Sequence, residues 1–171
     1  MIDMSTWEAV QRRRSIRKYK PDPIAADSWH RITEAGRLAP SASNRQPCRF
    51  LVVRDREKRR QLAEAARGQS FIAEAPLVMV ACASEKRTMS NGQYEAWVVD
   101  LTIALDHMTL VAAEEGVGTC WIAAFDPEAI RQLLGLGKDV PILAVMPFGY
   151  PAEAPAARPR KAREELFEEV Q

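Results

Sequence analysis

The sequence predicts an α+β fold, in which helices and strands share one layered core without strict βαβ alternation. Three observations carry that expectation. Short apolar, β-branched runs at 50–53, 77–83 and 140–150 read as strands. Amphipathic helical stretches of unequal length lie before and between them. One long segment, from about Gly92 to Glu115, is apolar on almost every side of a helix, so it must be covered on most sides. The 171 residues are expected to form one domain, long enough to bury roughly two-thirds of its unfolded surface.

In chain order, Ser5-Thr6-Trp7-Glu8 has capping-box spacing and opens a helix to about Arg14. Lys20-Pro21-Asp22-Pro23 breaks regular structure. A second helix runs from about Asp27 to Leu38, with Trp29, Ile32, Ala35 and Leu38 recurring along one side. The stretch APSASNRQPC at 39–48 is small and polar, with a proline near each end, and reads as a loop. Phe50 to Val53 is a strand, Asp55 caps a charged helix to about Arg67, and Leu77 to Ala83 is a buried strand. The long helix follows and stops at Gly116-Val117-Gly118. Asp126-Pro127 gives an N-cap with proline at the first helical position, for a helix to about Leu134. Val140 to Tyr150 is the last strand. Residues 151–171 are rich in proline and charge and read as an extended arm that lies on another surface, such as a partner subunit. One subunit of this size offers few elements to cover the long helix, so a dimer packing that helix from two copies is the economical expectation.

Composition and motifs exclude several functions. With 24 Lys+Arg against 23 Asp+Glu, net +1, the chain lacks the basic surplus of a nucleic-acid binder, and no nucleic-acid partner is expected. Cys48, Cys82 and Cys120 form an odd, dispersed set with no CxxC pair. That argues against a disulfide framework or zinc site and fits a reducing, cytoplasmic setting. The opening MIDMSTWEAV lacks the apolar core of a signal peptide. No uninterrupted apolar run of ~20 residues marks a membrane span. The GVG at 116–118 follows a helix rather than a strand, so it reads as a helix stop and not a dinucleotide fingerprint. His107, beside Asp106, lacks the further ligands a metal needs and is expected to be packed or interfacial. Cys120 is expected to be inert packing. No hydrolytic constellation is present. No catalytic side chain is identified; an enzyme can lack them when a cofactor supplies the chemistry and the protein orients it.

The run RRRSIRKYK at 12–20 places six basic side chains in nine positions of a nearly neutral chain. Guanidinium forks beside a hydroxyl suit a compact dianion such as a phosphomonoester. RRSIRKYKPDPI, APSASNRQPCRFLVV, GVGTCWIAAFD, MPFGYP and the late RPRK, in that order, resemble the nitroreductase family of FMN-dependent oxidoreductases over nearly the whole chain. The resemblance implies an α+β fold with a central mixed or antiparallel sheet flanked by helices, and an intertwined homodimer with FMN at the interface. It implies ping-pong hydride transfer from NADH or NADPH to FMN and on to a small acceptor such as a nitroaromatic, quinone or enone.

The same resemblance places Arg13, Arg14, Ser15 and Arg17 at the FMN site, with Arg17 nearer the ring. Pro40, Ser41 and Asn44 would reach the flavin from the other subunit. The backbone N–H groups of Ala123 and Ala124 would lie against flavin N5, and Arg158 and Arg160 would complete the phosphate cradle. Some positions depart from the family. Phe71 stands about where some members have a lysine near the pyrimidine edge, and Gln69 offers an amide instead. Cys48 replaces the usual tryptophan after Gln-Pro, and the short 84–96 segment leaves the acceptor site open. The alternatives are relatives that fragment flavin, dehalogenate or oxidise azolines, and a non-catalytic flavin-binding or redox-sensing module.

Overall fold

A computed structural model describes residues 5–170. Residues 1–4, at the start of the MIDMSTWEAV stretch, and Gln171, at the end of the expected arm, lie outside the described residues. The elements are α1 (Thr6–Arg12), α2 (Ala26–Arg37), β1 (Cys48–Val53), α3 (Arg56–Ala65), α4 (Phe71–Glu74), β2 (Leu77–Ala83), α5 (Ala96–Glu114), β3 (Gly118–Thr119), α6 (Pro127–Leu134) and β4 (Ile142–Gly149). Single 3-10 turns sit at Ala42–Asn44 and Arg163–Glu165. The expected strands and helices are present, and the fold is α+β.

Local chemistry sets most boundaries. The Ser5 hydroxyl accepts the Glu8 N–H at 3.3 Å while the Ser5 N–H donates to the Glu8 carboxylate at 2.9 Å, a complete capping box. Asp55 accepts the Lys58 N–H at 2.8 Å, and Asp126 accepts those of Glu128 and Ala129 at 2.9 and 3.2 Å. Helix α1 ends at Arg12, earlier than expected, because Arg13 turns extended (φ −52°, ψ 128°). The chain then gains a different partner: the Ile16 N–H donates to the Thr119 carbonyl at 2.9 Å. The four-residue α4 was not foreseen. It is too short to show a helical period in sequence.

The sheet has strand order β1-β2-β4-β3, and every neighbouring pair is antiparallel. Strand β2 is buried at every position. Its period of two divides those residues between two cores. Leu77, Met79 and Ala81 pack with Ile32, Leu105 and Phe148 beneath α2 and α5. Val78 and Val80 pack with Leu62, Ile72 and Ile130 beneath α3, α4 and α6. Helices therefore cover both faces, which is why β2 reads as a continuous apolar run.

Helix α5 departs from the sequence expectation in two respects. It begins at Ala96 rather than near Gly92, since residues 88–95 close a turn in which the Met89 N–H donates to Tyr94 O at 2.8 Å and Gly92 takes φ +70°. Its buried residues form one stripe, Ala96, Asp100, Leu101, Ala104, Leu105, Met108, Thr109 and Ala112, so within the subunit it is covered on one side. Val98, Val99, Ile103 and Leu110 are half-exposed on the remainder. By length and composition alone this helix passes for a membrane span, contrary to the sequence reading; here 44% of its most apolar window is buried inside the subunit.

The two glycines after α5 have separate roles. Gly116 (φ +70°) is the expected stop. Gly118 is instead a close-approach site, where an added Cβ would lie 2.7 Å from Ile16 Cγ1.

Candidate functional site

Both ends of the chain meet beside β3. Ser15 bridges Thr119 in parallel, and Tyr19 bridges Pro151 antiparallel. The Lys20 N–H donates to Tyr150 O at 2.8 Å, the Ala152 N–H to Lys18 O at 2.9 Å, and the Arg17 N–H to the Glu153 carboxylate at 2.5 Å. The buried Tyr19 hydroxyl donates to Ile16 O at 2.7 Å and fixes the turn between them. These bonds lay the start of the arm alongside residues 15–20.

The consequence is a pocket of about 150 Å³ that Arg13, Arg14, Ser15, Arg17, Arg158 and Arg160 line together. Six residues from opposite ends of the sequence, each expected at one anion site, share one cavity. An adjoining space of about 350 Å³, between the end of α1, β3 and residues 151–155, shares Arg13 and Arg14 with it. Among the described residues none of these five arginines pairs with a carboxylate, whereas Arg31, Arg37, Arg60 and Arg131 elsewhere do. Arg14 donates only to the carbonyls of Gln11 and Arg13, and Arg160 to those of Arg158 and Pro159. Clustered guanidinium groups repel unless an anion sits among them, so the pocket is built for negative charge.

Cys120 lies behind this wall, 2% exposed. Burial pushes its thiol above the ordinary range, and nearby Arg17, Ser15 and Arg13 oppose that shift without cancelling it. It fits inert packing, as expected.

The remaining candidates lie elsewhere in the subunit. Pro40 and Ser41 line a separate cavity of about 250 Å³ with Gln46, Cys48, Phe50 and Met108. Asn44 is exposed on the same loop. Ala123 and Ala124 are exposed just beyond the bridge between Ile122 and Val145, and among the described residues neither amide has a backbone acceptor. Gln69 is partly engaged, because its side-chain N–H donates to Ala66 O at 2.9 Å at the end of α3. The Asp126 N–H donates to Ala65 O at 2.8 Å, which sets that end beside the 123–126 turn.

Comparison with known proteins settles the class of the chain. The model of the nitroreductase family matches residues 10–86 and 66–150. The chain belongs to the nitroreductase family. It is similar to a Thermus thermophilus protein named NADH dehydrogenase, 35% identical over 184 residues covering 90% of this chain and 89% of that one. It is also similar to a Bacillus subtilis protein named FMN reductase (NAD(P)H), 34% identical over 168 residues, covering 88% and 68%. Among solved structures, the Vibrio harveyi NADPH:FMN oxidoreductase complexed with NAD+ superposes with a TM-score of 0.88 at 28% identity, covering 97% of this chain and 77% of that one. A nitroreductase family protein from Clostridium novyi gives 0.80 at 29%, covering 91% and 89%.

Within this nitroreductase-family chain, sequence reasoning missed two residues beside the candidates. Glu153 anchors the arm next to Arg17. Asp100, 3% exposed on α5, accepts the Ala42 N–H at 2.8 Å and holds the 41–46 loop. An acid set among apolar neighbours on the buried stripe of a mostly apolar helix was the available signal for Asp100. Glu153 offered none, because its partner is a backbone amide.

Proposed function

We propose that this protein is an FMN-dependent NAD(P)H oxidoreductase in which the two chain ends bind the FMN phosphate. The observation that carries this reading is the pocket of arginines without carboxylate partners around Ser15. Its donor set fits a phosphomonoester: guanidinium forks for the charged oxygens and a hydroxyl for one more acceptor. Bound there, FMN would supply hydride acceptance from NADH or NADPH and onward delivery to a nitroaromatic, quinone or enone. Arg17 would set positive charge near the ring and favour its reduced, anionic form. The backbone N–H groups of Ala123 and Ala124 would donate to the ring edge, and their small side chains leave the face above open.

The proposal extends to a homodimer. In one subunit the arginine pocket and the Pro40–Ser41 cavity are distinct, so loop 40–44 is assigned to the partner's flavin. The half-exposed apolar side of α5 supports packing between copies, with residues 151–171 continuing onto the partner as an arm. Three free cysteines agree with a reducing cytoplasm.

The test is a visible spectrum of the purified protein, with anaerobic titration by NADH and by NADPH. Bound FMN that bleaches on titration is expected. Arg13→Ala and Arg158→Ala should each weaken FMN binding by about 10–100-fold, the size of a lost charged hydrogen bond, while riboflavin binding is unchanged. A colourless protein that takes up no FMN refutes the reading.

A further inference from the structure

The loop that carries Ser41 and Asn44 is held in an uncommon backbone shape. Ser43, Asn44 and Gln46 all adopt left-handed φ, at 55°, 54° and 54°. Asparagine tolerates that region, whereas serine and glutamine adopt it only when something else fixes them. Local bonds supply part of the restraint: the Ser41 hydroxyl accepts the Gln46 N–H at 2.9 Å, and the Asn44 N–H donates to Ser41 O at 2.9 Å. These bonds tie the loop to itself but not to the body of the protein.

At its far end the loop is tied to the body where the Ser84 N–H donates to Pro47 O at 2.9 Å and Arg45 pairs with Glu85; at its first turn the tie is Asp100. Its carboxylate, 3% exposed within α5, accepts the Ala42 N–H at 2.8 Å across 58 positions of sequence. Arg45, Glu85 and Arg87 line the same small cavity, where Arg45 pairs with Glu85 at 3.7 Å. A buried carboxylate without a donor is costly, and so is a buried N–H without an acceptor. The pair therefore holds the loop firmly at its first turn.

We propose that Asp100 is a positioning residue for cofactor binding, clamping the Ala42 amide so that Ser41 and Asn44 are presented in a fixed geometry. This rests on the reading that loop 40–44 meets the flavin. Asp100 itself touches no reacting atom. It raises the fraction of the protein whose loop is ready to bind, and apparent affinity scales with that fraction.

The experiment measures FMN and riboflavin affinity and the visible circular dichroism of the bound flavin, for the full chain and six variants. Asp100→Ala should weaken FMN and riboflavin equally, by about 10-fold for the one bond lost, and change the dichroic band. Asp100→Asn keeps an oxygen acceptor and should return affinity to within about threefold of the original. Ala42→Pro deletes the same bond from the other side. Proline suits that position because Ser41 is extended (ψ 156°) and Ala42 begins a 3-10 turn. It should reproduce the loss, and combining it with Asp100→Ala should add nothing. Asn44→Ala is the control on the underlying reading. If it alters the dichroic band and Asp100→Ala does not, Asp100 has no positioning role and the loop assignment stands. If neither alters it while Arg13→Ala still weakens FMN, the loop does not meet the flavin and both assignments fall. Additive losses in the double variant would likewise overturn the clamp.

Discussion

Gly118→Ala tests whether the fold around β3 and the arginine pocket are one structure. The new Cβ would lie 2.7 Å from Ile16 Cγ1, 2.9 Å from Ile16 Cβ and 3.1 Å from Cγ2. Ile16 is 6% exposed and β-branched, so its side chain has little freedom to turn away. Gly118 is not among the residues at positive φ, so the substitution adds crowding without backbone strain. Relief must come from moving the 15–17 segment away from β3. Overpacking of this kind costs about 1–3 kcal/mol. At this length that is a fall in Tm of ~2–4 °C for each kcal/mol. Because Ser15 and Arg17 flank Ile16, the shift should also weaken FMN about 10-fold, the order of one charged hydrogen bond lost. The assay is thermal unfolding with and without FMN, together with flavin titration. Ile16→Ala removes the atoms at 2.7 and 3.1 Å, so the double variant should be more stable than the two single losses summed, by about 0.5–3 kcal/mol. A Gly118→Ala protein that melts within about 1 °C of the original and binds FMN equally well would refute the argument.

Glu153→Ala removes the acceptor of the Arg17 amide and should loosen the arm. Trypsin is then expected to cut after Arg160, Lys161 and Arg163 several-fold faster, and bound FMN should slow that cleavage again. Cys48 is pushed up to about 11 from 9.0, mainly by burial and secondarily by the Asp100 charge. At pH 8 it should therefore react with a disulfide reagent on the order of 100-fold more slowly than an ordinary thiol. Asp100→Asn should shift its pH–rate curve downward. Glu115 is held below the usual 4.5 chiefly by its bond from Arg31, with Ser28 adding to it. Its contribution is therefore complete above the unfolded carboxylate's pKa and lost as pH falls through the lower folded value. Glu115→Gln should depress Tm at pH 7 and do so progressively less as the pH is lowered through the folded value, as followed by circular dichroism melts.

The elements legible in the sequence were those whose causes are local. Ser5 with Glu8, Asp55, and Asp126 with Pro127 marked three helix starts, because a cap needs only a side chain within a few residues of the amide it satisfies. The all-apolar run of β2 marked a strand covered on both faces. The arginine and serine positions of the proposed phosphate site were legible as charge surplus and as family motif. Their assembly was not, since it depends on Tyr19, Pro151 and Glu153 laying the arm beside residues 15–20. Nor could sequence divide α5 into a covered stripe and a half-exposed side, because an apolar residue reads the same whether its neighbour is this chain or another. By itself the sequence determined the locally capped helix starts, the all-apolar strand, the family, and the residue types suited to a dianion. Only the tertiary structure decided which of those residues share a cavity and that Asp100 reaches across 58 positions to Ala42. Contacts between distant segments arise from the packing of whole elements, and no local periodicity records them.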